Sequence, residues 1–182
     1  MNTTPPPEPP SSANRLQGRA ACSDALRAAL LALALAPPAS TAAVPEAPAL
    51  AQLVWCVDRH FAAWPLEDAA VQRALAAWLH RPGRRLRLIG LDFETTMKCL
   101  PRFVRWRRDH AHRIDVWRPS DAELPPGLRG LLVGATLWQW QEAKDQQLLR
   151  ITNPVYLAVF KAEIADFLQR CEPAWPVTIL GL

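Results

Sequence analysis

Glycine is scarce in this 182-residue chain, with seven residues in all. They are too few and too scattered for a loop that cradles phosphate on consecutive backbone N–H groups. The spacings GxSxG, HExxH and GxGxxG and the Walker loop are all missing, so the corresponding hydrolase, zincin, dinucleotide and P-loop readings fall away. The four cysteines, Cys22, Cys56, Cys99 and Cys171, form no CxxC pair, which leaves a zinc ribbon or a thioredoxin-type redox motif without support. Cys56 and Cys99 fall within apolar runs and read as small buried hydrophobes. Four reduced thiols point to the cytoplasm. The apolar run Ala28–Ala36 has nine residues, too short to span a bilayer. As a secretory core it begins late, behind Asp24 and with little positive charge near Met1. These features imply no cofactor, no metal and no transmembrane segment.

What is present is an ordinary globular composition, 50% hydrophobic and 21% charged, distributed unevenly. Residues 1–50 hold nine of the 18 prolines and three charges of each sign. Residues 80–118 carry eleven Lys/Arg against four acids, so the net +4 of the chain arises in that one basic segment. An electrostatic partner would be anionic and would meet it. The organisation expected is a disordered Pro/Ser-rich tail over 1–19, a short Ala/Leu helix over 20–36 capped by Ser23 or Asp24, a Pro/Ala linker over 37–49, and an α/β domain over 50–182. PPPEPP in the tail reads as solvated chain or a polyproline ligand.

Within the domain, Leu53–Val57 reads as a strand ending at Asp58. A helix over Glu67–His80 carries Leu66, Val71, Ala74, Leu75 and Trp78 on one face, and Pro82-Gly83 stops it. Arg85–Leu91 is a strand whose second half looks buried on both sides. Pro101 breaks the helical stretch Thr95–His110 or opens its second piece. A strand is expected over His112–Trp117, an apolar run over Leu128–Val133, a turn at Gly134-Ala135 and strands over Thr136–Gln141 and Leu148–Thr152. Asn153-Pro154 then opens a helix over Val155–Arg170 with Leu157, Phe160, Ile164, Phe167 and Leu168 on its inner face. That order gives a single domain with a mixed β-sheet flanked by helices.

The stretches LPRFVRWRRDHAHRIDVWRPSD, LPPGLRGLLVGATLWQWQ and TNPVYLAVFKAEIADFLQRCEPAW, in this order over about residues 50–176, resemble one half of the phospholipase D-like fold. The likeness is to its degenerate bacterial members that lack the catalytic signature. Active members pair two halves, each with a His-x-Lys-x4-Asp strand. Here Gly127, Arg129 and Gly134 stand where His, Lys and Asp would, and none of the four histidines is followed two residues on by lysine. The resemblance therefore implies the fold without the reaction, a non-enzymatic binding or interaction module. It also implies a homodimer as the way to restore two halves.

Other chemistry has a few candidates. On a strand, His110 and His112 would share a face, and a metal would need a third ligand such as Cys99 or Asp115. Asp58, Asp92 and Asp121 follow strands, where open α/β proteins keep their sites, and with the histidines they are candidates for a hydrolase, although helix capping is the simpler duty for Asp92 and Asp121. Lys98, Arg102, Arg105 and Arg108 share one helical face, which Arg84 and Arg85 could flank. With His110 and His112 they make a candidate surface for nucleic acid or a phosphate ligand, against the plainer reading of a solvated basic face. Trp138 and Trp140 point to one side of their strand and suit either the core or ligand stacking.

Overall fold

The computed structural model describes residues 15–35, 53–125, 127–141 and 147–176. The PPPEPP stretch and the 37–49 segment lie outside these residues. Strand β1 (Arg15–Gln17) leads into helix α1 (Arg19–Leu31), extended by a 3-10 turn (Ala32–Leu35). Then come β2 (Leu53–Asp58), α2 (Ala69–Leu79), β3 (Arg85–Gly90), α3 (Phe93–Cys99), α4 (Pro101–Asp109) and β4 (Ile114–Pro119). The chain continues through β5 (Gly130–Val133), β6 (Thr136–Trp140), β7 (Gln147–Ile151), α5 (Pro154–Leu168) and β8 (Cys171–Pro173). The eight strands form one mixed sheet in the order β1-β7-β6-β5-β2-β3-β4-β8. The expected α/β class and mixed sheet are therefore present.

The central strands β2, β3 and β4 are parallel, so each step between them needs a crossover. The two crossovers place α2 and the α3–α4 pair on the same face of the sheet, where Val71, Leu75, Phe93 and Phe103 join one core cluster. Along β2, Val54 and Cys56 enter the cluster under these helices, while Trp55 and Val57 enter the cluster under α5 on the other face. That double coverage explains why the strand reads as an unbroken apolar run. Asp68 caps α2 through a hydrogen bond from the Ala70 amide, and Asn153 caps α5 by accepting from the Val155 and Tyr156 amides. Pro101 opens α4 in its first turn, as its missing N–H favours.

Several expectations are corrected. Residues 15–17 are not tail: Leu16 packs against the core and the segment pairs antiparallel with β7, covering that edge. The following helix begins at Arg19, with Gly18 at the cap position, so Ser23 and Asp24 lie inside it and cap nothing. It is docked on the body, with Cys22, Leu26, Leu30 and Leu33 buried. His112 sits in a 3-10 turn (Ala111–Arg113) that precedes β4, so the two-residue strand geometry does not apply to His110 and His112. Cys99 is exposed, because α3 ends there and only Phe93 and Thr96 of that helix face inward. Strand β8 had no sequence signal of its own; it pairs with β4 at the sheet edge.

Arg107 shows a buried charge without a carboxylate. The residue is 5% exposed, and its guanidinium stacks 4.4 Å from the Trp175 ring and donates to the Trp175 carbonyl at 2.6 Å, while among the described residues its Nε has no partner. Burial lowers its pKa to about 10, so the folded chain disfavours the charge that the unfolded chain solvates freely. Replacing it with Met keeps the hydrophobic stem and removes the desolvated charge. Arg107→Met is expected to raise the thermal midpoint by a few degrees, at about 2–4 °C per kcal/mol for a domain of this size, and Arg107→Ala to lower it. A lower midpoint for the methionine variant in a calorimetric scan would show that the stacking and carbonyl bond outweigh the desolvation.

Candidate functional site

The sheet changes direction beside β2, which is parallel to β3 on one side and antiparallel to β5 on the other. Its C-terminal residue, Asp58, is 5% exposed and follows Val54 and Cys56 onto the helix-covered face. Trp64 Nε1 donates to Asp58 Oδ2 at 2.7 Å. Arg129 Nε and the Arg59 amide donate to Asp58 Oδ1 at 3.0 and 2.7 Å. Arg129 reaches this point because Gly130 opens β5 directly against β6, where any Cβ would run into the Trp138 carbonyl. Trp64 reaches it because the chain turns back after Phe61, whose carbonyl accepts from the Trp64 amide at 2.9 Å.

Above this network lies a cavity of about 290 Å³. Asp58, Arg129 and Trp140 form its inner wall, and Ala63, Arg59, His60 and Arg19 complete it. Arg19, Arg59 and His60 are exposed. Among the described residues, neither the Arg19 nor the Arg59 guanidinium makes an ion pair or a side-chain hydrogen bond. Arg19 is the first residue of α1, a helix with no side-chain cap and no acid in its first turn. Trp140 is 6% exposed, and among the described residues its buried Nε1 has no hydrogen-bond partner. The arrangement is chemically suited to holding an anion: surplus positive charge at the rim and one carboxylate already neutralised.

The carboxylates weighed for catalysis do not assemble. Asp92 caps α3, accepting from the Thr95 amide at 2.9 Å and the Thr95 hydroxyl at 2.6 Å, and the hydroxyl bond is the larger cause of its lowered pKa. Asp121 accepts from the Glu123 amide at 3.3 Å and pairs with Arg170 at 3.8 Å. Among the described residues, no three His, Cys, Asp or Glu side chains are grouped so as to hold a metal ion. His110 stacks on Trp106 at 4.5 Å and bonds the Trp106 carbonyl through Nδ1 at 2.9 Å.

The basic candidates are dispersed. Lys98 lies on α3 and Arg102, Arg105 and Arg108 on α4, with Leu100 breaking the helix between them; all four are exposed. Arg84 is buried, 5.4 Å from the Trp78 ring. Arg85 is on the opposite face of the sheet, where it forks onto Asp115 at 2.6 and 2.9 Å and holds that carboxyl below the usual range. Arg85 therefore does not flank the α4 face, and Arg84, being buried, adds no exposed charge to it. Trp138 is half-buried with Arg150 5.7 Å from its ring, and only Trp140 reaches the cavity. Sequence reasoning did not single out Arg19, Arg59, Trp64 or Arg129 as site residues. Only Arg129 carried a signal, standing where the phospholipase D-like lysine would.

No protein-family model matches the chain, and the searches of curated proteins and of solved structures give no match either. Among the described residues, no helix is long and apolar enough to cross a membrane.

Proposed function

We propose that this protein is a non-enzymatic binding domain whose ligand is anionic and occupies the cavity at the C-terminal end of β2. One observation carries the reading: Arg19 and Arg59 flank the cavity without partners among the described residues, while the Asp58 carboxylate below them already accepts three hydrogen bonds. A carboxylate so engaged fixes the walls of a site rather than moving a proton, which supports binding over hydrolysis. The location agrees, since open α/β sheets take ligands beyond strand C-termini where the strand order reverses. The phospholipase D-like scaffold belongs to the same proposal, supported by element order and by Arg129 at the lysine position.

Thermal midpoints measured with phosphate, sulfate, citrate and acetate at constant ionic strength test it, because a ligand that binds only the folded state raises the midpoint. At least one anion is expected to do so for the wild type and not for Arg59→Glu. Equal midpoints with every anion would overturn the reading. A second surface, Arg102, Arg105 and Arg108 on α4 with Lys98 nearby in sequence, is exposed and free of ion pairs among the described residues. Nucleic acid is the second reading for that surface. Fluorescence anisotropy of labelled DNA and RNA at about 50 and 200 mM salt separates the two, since phosphate contacts weaken steeply with salt. Binding lost in Arg102→Glu/Arg105→Glu and kept in Arg59→Glu would assign nucleic acid to the helix face.

A further inference from the structure

We infer that the cavity ligand is a small phosphomonoester, its dianionic phosphoryl group held between Arg19 and Arg59 at the start of α1 and its organic remainder lying against Trp140 and Ala63. The inference rests on the anion-binding reading and adds charge, shape and size to it. The charge follows from what the cavity leaves open. Of its three arginines, Arg129 is opposed by Asp58 at 3.0 Å. Arg19 and Arg59 remain, two positive charges that match two negative ones. A phosphomonoester supplies about −1.5 to −2 at neutral pH, whereas a carboxylate, a sulfate ester or a phosphodiester supplies one.

Shape follows from the donors. Two guanidinium-bearing residues line the cavity from separate elements, Arg19 at the start of α1 and Arg59 just past the end of β2. A tetrahedral group with three peripheral oxygens accepts such a set, and a planar carboxylate does so less completely. His60 adds a further N–H group at the rim. Size comes from the volume. At about 30 Å³ per water molecule, a cavity of about 290 Å³ holds far more than one phosphoryl group. The remaining space borders the Trp140 side chain and the Ala63 methyl, surfaces suited to a flat, weakly polar body.

Isothermal titration of the full chain at pH 7.5 tests these points with phenyl phosphate, phenyl sulfate, methyl phenyl phosphate, benzoate and inorganic phosphate. Phenyl phosphate is expected to bind at least about tenfold more tightly than each singly charged analogue, and more tightly than inorganic phosphate, tenfold being the worth of one charge-assisted contact. Arg19→Gln and Arg59→Gln, both exposed positions, should each weaken phenyl phosphate by about tenfold while leaving the thermal midpoint of the free protein in place. Phenyl sulfate or the diester binding as tightly as phenyl phosphate would overturn the dianion while leaving an anion site standing. Inorganic phosphate binding as tightly as its phenyl ester would overturn the organic remainder. Binding unchanged in both glutamine variants would move the ligand out of this cavity, and no binding of any anion would overturn the proposal and the functional reading together.

Discussion

Asp58→Ala is expected to lower the thermal midpoint by roughly 6–12 °C and, in the same protein, to strengthen anion binding. The stability loss follows from the network the carboxylate holds. Removing one member of a buried charge pair typically costs about 3–5 kcal/mol, because the other charge stays desolvated. Arg129 keeps a further interaction, so the low end, about 3 kcal/mol, applies; at about 2–4 °C per kcal/mol this gives the stated fall. Trp64 Nε1, a buried donor at 2.7 Å from Asp58, also loses its acceptor. The gain in anion affinity has the opposite origin. Asp58 is the one carboxylate among the described lining residues, and its removal takes away the negative charge that opposes an anion beside Arg19 and Arg59. Asp58→Asn keeps an acceptor for Trp64 and should lose less stability than the alanine variant. Calorimetric melting and titration with phenyl phosphate read the two effects separately. Loss of stability together with loss of binding would mean that the Asp58–Arg129 pair shapes the cavity more than its negative charge opposes the ligand.

Sequence and structure agree for several elements that decide their own form, although the start of α1 at Arg19 rather than Ser23 or Asp24 is an exception. Strand β3 alternates Leu86 and Leu88 with Arg85 and Arg87 before turning apolar at Ile89, and its burial follows that pattern. Asn153-Pro154 marks the start of α5 and Asp92 the start of α3, since a cap is a local hydrogen bond between residues two or three apart. The site was not legible because its members are far apart in sequence. Asp58 and Arg129 are 71 residues apart and meet only because β5 adds antiparallel to β2. Nothing local distinguishes Arg59 from a surface arginine. Arg19 lay in a stretch that reads as tail, because a three-residue strand carries too short an alternation to be seen before its partner β7 is known. The basic segment shows the converse. Its charges are consecutive in sequence, but period-2 geometry sends Arg85 to the far side of the sheet, while Lys98 and Arg102 fall on separate helices.

Phe160→Ala is expected to cost about 3–5 kcal/mol, the usual range for truncating a buried aromatic, and Val159→Ala less than about 0.5 kcal/mol. The two residues are neighbours in a helix whose inner face, Leu157, Phe160, Ile164 and Phe167, is the one its spacing predicts. Adjacent helical residues point about 100° apart, and the structure leaves Phe160 2% and Val159 41% exposed. Leu157, Ile164 and Phe167 lie inward with Phe160, against Val57, Ile89, Leu132 and Leu149 of the sheet. Among the described elements, α5 is the one helix on that face, and its packing closes one of the two core clusters. Loss of the Phe160 ring therefore opens a void that no second helix fills. Denaturant titration should show a large fall in midpoint for Phe160→Ala and almost none for Val159→Ala, with the slope unchanged in both. Equal losses would mean that α5 sits rotated about its axis from the orientation seen here. In that case Trp55 and Val57 of β2, the strand that ends at Asp58, would lose the cover that buries them.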